Sequence, residues 1–211
     1  MATNDVKTIA PAKRSDGITD TARGSVWGGQ LVAKEIPDFF ELVSRGRLFV
    51  ATIGTAGVAP ETTLDTTPPF TLYNPDGSGK LLVPVYSVVG YVSGTLGAGS
   101  LSYAYVPNQT SEPSGGTALT VQNCLLGNAA GSGKPRTGST HSATPTLLEP
   151  AFMFGAFAGG AESPKKCFDY LFGRYAIQER TAFVIQGAPL GAGTSPLVML
   201  GLCWAEIEKP S

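Results

Sequence analysis

Apolar and polar positions are patterned most clearly near the C-terminal end of the chain. Residues 181–186 form a short run rich in β-branched and aromatic side chains, and residues 196–207 form a longer apolar run. The connecting residues 187–195 are Gly, Ala, Thr, Ser, Pro and Leu. Two apolar runs joined by a glycine-rich connector predict an antiparallel hairpin.

The second of these runs is apolar on both sides if it forms a strand, because successive side chains then point to opposite faces. One face carries Leu197, Met199, Gly201, Cys203, Ala205 and Ile207, and the other carries Val198, Leu200, Leu202 and Trp204. An antiparallel sheet normally turns one face to water. We therefore expect a neighbouring copy of the chain to cover one face. The predicted oligomer interface is Val198, Leu200, Leu202 and Trp204, with the face of Met199, Cys203 and Ile207 as the alternative.

Short apolar runs separated by turn signals fill most of the remaining chain. They predict strands at residues 30–35, 47–53, 70–73, 80–92, 101–106, 119–126 and 147–158. The sequence Asn74-Pro75-Asp76-Gly77 predicts a turn, because proline fixes the first corner and glycine accepts a positive φ. Pro84 predicts an edge strand or a bulge.

Helical signals are few. Residues 36–45 predict a short helix that ends at Gly46, and residues 163–175 fit either a helical turn or a pair of strands. About eight short strands with at most two short helices predict an all-β fold, a β-sandwich with jelly-roll topology.

Two segments stand outside this strand pattern, residues 1–30 and residues 127–144. Residues 1–30 are polar and mixed in charge, which is typical of a disordered tail or of an arm that orders against a neighbouring subunit, with Trp27 as its candidate anchor. Residues 31–211 are predicted to form one domain. Residues 127–144 predict a long exposed loop. The sequence of residues 96–100, LGAGS, recurs as LGAGT at residues 190–194, which predicts the same hairpin chemistry used twice.

The composition narrows the function classes. Charged residues make up 15% of the chain, well below the roughly 25% of ordinary soluble domains. A low charge with much apolar surface favours a protein whose exterior is partly covered by partners. The net charge of −1 gives no attraction to nucleic acid or to an anionic membrane. Residues 1–20 lack a secretory signal, so we expect synthesis in a cytoplasm, and the three cysteines are expected to be small buried hydrophobes.

Catalytic motifs are absent from the sequence. The segment around Lys134 resembles a phosphate loop superficially, but Asn128 replaces the first glycine and Pro135 replaces the metal-binding hydroxyl. His141 is the single histidine, and we expect it to be solvated in its loop. No catalytic, cofactor-binding or metal-ligating residues are predicted. Clustered tyrosines predict core and interface positions, or alternatively a sugar-binding groove: Tyr86, Tyr91, Tyr103 and Tyr105.

Residues 72–106 (LYNPDGSGKLLVPVYSVVGYVSGTLGAGSLSYAYV) and 181–208 (TAFVIQGAPLGAGTSPLVMLGLCWAEIE) resemble small virion structural proteins of tailed bacteriophages. The shared features are a strand, an Asn-Pro turn, a second strand, a GTxGAG hairpin and a final strand that ends in Trp and acidic residues. The resemblance implies a β-sandwich on the capsid exterior, a decoration (cement) protein or head-fibre component that is typically trimeric. Trp27 would then anchor the N-terminal arm to the capsid. The resemblance implies no catalytic residues.

These observations predict a non-enzymatic homo-oligomer, a trimer, that binds the major capsid protein on the outside of a phage head and stabilises the shell. It would be made in the host cytoplasm and used in the virion. A tail or fibre adaptor is the alternative within the same class. A carbohydrate-binding host-recognition module is the alternative from another class.

Overall fold

Two antiparallel sheets make up the part of the chain that the computed structural model describes, residues 39–155 and 167–209. They pack against each other, which confirms the predicted all-β sandwich. The described residues from Glu41 onward belong to one compact unit. The predicted arm over residues 1–30, Trp27 and the predicted strand at residues 30–35 lie outside the described residues.

The five-stranded sheet contains the longest strands. Its order is β6-β1-β11-β3-β9, with β1 (Leu48–Thr52), β3 (Lys80–Ser93), β6 (Gln122–Asn123), β9 (Cys167–Tyr170) and β11 (Leu197–Glu208). The six-stranded sheet has the order β5-β7-β2-β10-β4-β8, with β2 (Phe70–Asn74), β4 (Gly99–Val106), β5 (Thr117–Ala118), β7 (Lys134–Thr137), β8 (Thr146–Phe154) and β10 (Thr181–Leu190).

The eight principal strands pair in a nested order along the chain. Strand β1 pairs with β11, β2 with β10, β3 with β9 and β4 with β8, all antiparallel. The first and third pairs lie in the five-stranded sheet, and the other two lie in the six-stranded sheet. Such an order arises when one long antiparallel hairpin is rolled up so that successive pairs fall in opposite sheets.

Strands β10 and β11 do not form the hairpin that the sequence predicted. Strand β10 lies between β2 and β4 in one sheet, and β11 lies between β1 and β3 in the other. The glycine-rich connector therefore crosses from sheet to sheet. This arrangement lets the apolar face of β10 pack against the apolar face of β11 across the core. If the two strands were paired in one sheet, their apolar faces would lie side by side and would need another layer to cover them.

The two LGAG repeats lie next to each other at one end of the sandwich. The first joins β3 to β4 and the second joins β10 to β11, so both cross between the sheets. The amide of Gly191 donates to the carbonyl of Ala98 at 2.7 Å, and the amide of Thr95 donates to the carbonyl of Thr194 at 3.0 Å. The prediction of two hairpins was wrong, because each repeat joins strands of different sheets. The repeated sequence forms two crossing connections whose backbones are in direct contact.

Several local predictions are confirmed. The predicted helix is the short α1 (Phe40–Ser44), and Gly46 follows it with a φ of +64°. The turn after β2 contains Gly77 with a φ of +72°. Pro84 lies at a bulge between β3 and β11, in the interior of the sheet rather than at its edge. Residues 163–175, which the sequence left open, contain β9 within their described part.

Alanine at Gly97 or Gly193 is expected to destabilise the fold. An added methyl group at Gly97 would overlap the backbone of Gly191, and one at Gly193 would overlap the carbonyl of Thr95. Relief of such overlap requires the two connections to separate, at a cost of ~1–3 kcal/mol in the free energy of unfolding. Urea unfolding measures this change. Gly54→Ala is the control, since nothing lies within 4 Å of its added methyl group, and an equal loss in all three variants would contradict the packing argument.

Candidate functional site

The inner face of β11 lies in the core of the single chain. Val198, Leu200, Leu202 and Trp204 are all 0% exposed and belong to the main core cluster. The Trp204 ring lies 6.1 Å from that of Phe49, measured between centroids. The six-stranded sheet already covers these four side chains, so they are not available to another chain. The oligomer interface predicted from the sequence is therefore misplaced.

The outer face of the same sheet is the surface that remains available. Strand pairing aligns two rows of outward-facing residues across β1, β11, β3 and β9. The first row is Thr52, Gly201, Val88 and Phe168, and the second row is Val50, Cys203, Tyr86 and Tyr170. Met199 continues this surface and lies over Gly90. None of these residues is charged. We call this surface, the two rows with Met199 and Gly90, the outer apolar face.

Aromatic rings extend the outer apolar face toward the β9 edge. The Tyr86 ring lies 6.4 Å from Phe168 and 6.2 Å from Tyr170, and the ring of Tyr170 stacks on Phe172 at 5.2 Å. Phe168 and Tyr170 are about half exposed, and Phe172 is 70% exposed. Exposed aromatic clusters of this kind are typical of binding surfaces.

The centre of the outer apolar face is closed by its own chain. Cys203 is fully buried and interacts with the side chains of Tyr86 and Cys124. Burial raises the pKa of Cys203 and of Cys124, and it raises the pKa of Tyr86 to about 12. These thiols therefore stay protonated at neutral pH and are poor nucleophiles. Of the alternative interface residues, Met199 and Ile207 are partly exposed, and Cys203 is not.

A second exposed apolar patch lies on the edge strand β8. Among the strands of the described residues, β8 pairs with β4 alone and lies at the end of the six-stranded sheet. Leu147 and Leu148 are more than a third exposed, and Met153 is 86% exposed. The chain thus presents two apolar patches of different composition, one on a sheet face and one along a strand edge.

The segment predicted as a long exposed loop is anchored to the core by a buried glutamate. Both carboxylate oxygens of Glu206 accept hydrogen bonds from residues 132–133: the amide of Gly133 at 2.9 Å, and the amide and hydroxyl of Ser132 at 3.0 and 2.8 Å. Trp204 Nε1 at 3.3 Å and Lys80 Nζ at 3.2 Å also donate to it. Burial alone raises the pKa of Glu206, but these hydrogen bonds outweigh burial and lower it. The phosphate-loop-like sequence thus binds the chain's own carboxylate.

His141 anchors the other end of the same segment, and the expectation that it is solvated was wrong. Only 4% of His141 is exposed. Its Nε2 lies 2.9 Å from Thr71 Oγ1, and its Nδ1 lies 3.1 Å from Gln109 Oε1. Burial lowers the pKa of His141 to about 4. Between these two anchors, β7 pairs with β2 and β5, so the segment is part of the sheet.

A cleft of about 280 Å³ opens at one end of the sandwich. Ile177, Ala182 and Phe183 form its buried apolar floor, and Tyr105, Leu148 and the residues 174–176 form its walls. The guanidinium of Arg174 binds Glu149 at 3.0 Å and Asp169 at 3.4 Å, and its carbon lies 6.0 Å from the Tyr175 ring centroid. Burial and a hydrogen bond to Glu149 raise the pKa of Tyr175 to about 12.

The described residues contain no group of three His, Cys, Asp or Glu side chains that could hold a metal ion. No helix among the same residues is long and apolar enough to cross a membrane. No protein-family model matches the chain, and neither a curated protein nor a solved structure shows a significant match to it.

Glu206→Gln is expected to destabilise the protein by ~2–4 kcal/mol, because an amide nitrogen replaces an oxygen that accepts hydrogen bonds in a buried site. Chemical unfolding and hydrogen exchange of the Ser132 and Gly133 amides measure the effect. Glu208→Gln, two residues along the same strand and exposed, is the matched control. Unchanged protection of both amides in Glu206→Gln would refute the anchoring role.

The stability of the protein is expected to fall as the pH is lowered from 6.5 toward 4. The neutral His141 ring fits its two partners, and its folded pKa lies below the ordinary value of 6.5, so the unfolded chain binds more protons in this range. Unfolding free energies at pH 7 and pH 5 test this expectation. His141→Gln removes the single histidine, and its stability should change less between these pH values. The same pH slope in both proteins would show that other groups cause the loss.

Proposed function

We propose that this protein is a non-enzymatic structural component of a tailed-phage virion, a decoration protein that binds the outside of the head as a homotrimer. The outer apolar face is the observation that carries the proposal. Its two rows cross four strands without a charged side chain, although a sheet face that only meets water readily accepts charge. A contact with another protein explains the composition of this face.

The two apolar patches favour a ring over a two-fold dimer. A two-fold contact uses the same patch on both chains, whereas a cyclic trimer joins two different patches head to tail. In the proposed trimer, the β8 edge of one copy, with Leu148 and Met153, contacts the outer apolar face of the next copy around Met199. Leu148, Met153 and Met199 are uncharged, and Glu149 between the first two on β8 is paired with Arg174 at 3.0 Å. The proposed contact therefore meets little like-charge repulsion.

The nested strand pairs support the virion assignment together with the sequence resemblance. This order is compatible with the predicted jelly-roll topology, and jelly rolls are frequent among viral capsid proteins. The resemblance of residues 72–106 and 181–208 to phage virion proteins falls on β3, β4, β10 and β11 and on the two crossing connections. Packaged DNA loads the joints between capsomers, and a trimer bound across these joints adds buried area that resists their separation.

Met199→Glu and Met153→Glu are each expected to shift the protein from trimer to monomer, because either glutamate would be desolvated at the head-to-tail contact. Light scattering at several protein concentrations measures the mass, and unfolding confirms that the variants fold. Ala118→Glu adds the same charge on the exposed strand β5, at the opposite edge of the six-stranded sheet, and should remain trimeric.

The outcomes of this experiment are distinct. If the unmodified protein is a dimer and Met199→Glu disrupts it but Met153→Glu does not, the contact is two-fold and the proposed ring is wrong. A monomeric unmodified protein at high concentration would overturn the assembly proposal.

The virion assignment is tested by adding the protein to heads that lack it. Saturable binding and a higher temperature of DNA release support decoration, whereas binding only to tails would favour the adaptor.

A further inference from the structure

We propose that the cleft between Tyr105, Arg174 and Tyr175 binds a neutral sugar ring. This inference does not rest on the proposed function, because the cleft residues differ from those of the proposed trimer contact except for Leu148 at its margin. The volume of about 280 Å³ is close to the lower end of the ~300–1,000 Å³ that small-molecule sites occupy. It suits one or two small rings rather than a long peptide.

The charges around the cleft select a neutral ligand. Arg174 is the one charged residue among those that line the cleft, and Glu149 and Asp169 bind its guanidinium from outside the lining. An anion gains little from a guanidinium that two carboxylates already neutralise, and a cation would lie beside the guanidinium next to Tyr175. A ligand without net charge can accept hydrogen bonds from Arg174 and exchange them with the hydroxyl groups of Tyr105, Tyr175 and Thr181. Neighbouring hydroxyl groups of a sugar have this property, because each one both donates and accepts hydrogen bonds.

The polar groups are already held in place. Arg174 is fixed by its two carboxylate partners, and Asp169 also accepts a hydrogen bond from Tyr103 at 2.9 Å. Tyr103 is fully buried in the core, so this network connects the rim of the cleft to the rigid part of the sandwich. A planar guanidinium held in this way binds two adjacent oxygens at a lower entropic cost than a mobile side chain would.

The apolar part of the cleft suits the carbon-bound hydrogens of a sugar ring. The Tyr175 ring packs against the buried Phe183 at 6.0 Å between centroids, which limits its movement. Aromatic faces carry partial negative charge and attract the polarised C–H bonds of a sugar. A partly exposed ring above an apolar floor, with hydrogen-bonding groups at the rim, matches the two sides of such a ligand.

Saturation-transfer NMR with free glucose, galactose and N-acetylglucosamine tests this proposal on the full chain. We expect at least one sugar to receive saturation and to bind with a Kd on the order of 1 mM. Arg174→Ala should weaken binding about tenfold or more, through the loss of charge-assisted hydrogen bonds. Ala176→Trp leaves the ion pairs intact but fills the cleft from its exposed rim, and it should abolish binding.

Phe172→Ala is the control, since it removes an exposed aromatic ring outside the cleft and should bind as the unmodified protein does. Sulfate and tetramethylammonium serve as anionic and cationic probes. Preferential binding of either ion in the cleft would overturn the neutral-ligand assignment. Absence of transfer to every sugar, or equal binding by Ala176→Trp, would overturn the sugar site itself while leaving the assembly proposal untouched.

Discussion

The packing of the inner face of β11 against the six-stranded sheet is the interaction on which the rest of the structure depends. Strand β11 lies in the middle of its sheet, and its inner residues from Val198 to Trp204 are fully buried. Trp204 donates to Glu206, and Glu206 binds the backbone at Ser132 and Gly133. One strand therefore holds together its sheet, the core and the long segment before β8. The burial of a tryptophan and a hydrogen-bonded carboxylate makes this region intolerant of change.

Local patterns were sufficient to predict most of the long strands, but not the short strands β5 and β7 or which strands share a sheet. The positions of β1, β2, β3 and β4, the turn at residues 74–77 and the glycine after α1 all follow from properties of neighbouring residues. The error over β10 and β11 has a physical cause. The alternation of side chains shows which face of a strand is buried. It is the same whether the next strand of the chain pairs beside it in one sheet or packs against it from the other sheet. The nested pairing depends on contacts between distant segments, which no local pattern contains.

The same limitation explains why the two anchors of residues 127–144 escaped prediction. Composition made this segment resemble an exposed loop, because it is rich in glycine and polar residues. Its order depends instead on Glu206, 74 positions from Ser132, and on the contact of His141 with Thr71, 70 positions away. Glycine at positions 131 and 133 permits close approach, since an added methyl group would contact Glu206 and Trp204, respectively. The high glycine content of this segment thus reflects tight packing, although a glycine-rich composition is more often typical of an exposed loop.

The two apolar faces of β11 require different explanations. The inner face is explained by the core alone, so it carries no information about partners. On the outer face, the small residues Gly201 and Cys203 are covered by their neighbours, including Val88 and Tyr86. Folding does not explain the partly exposed positions around them, because a charged side chain there would cost a monomer little folding free energy. The absence of charge along both rows of this face is therefore unexplained by folding, and it is the feature that the proposed self-assembly would explain.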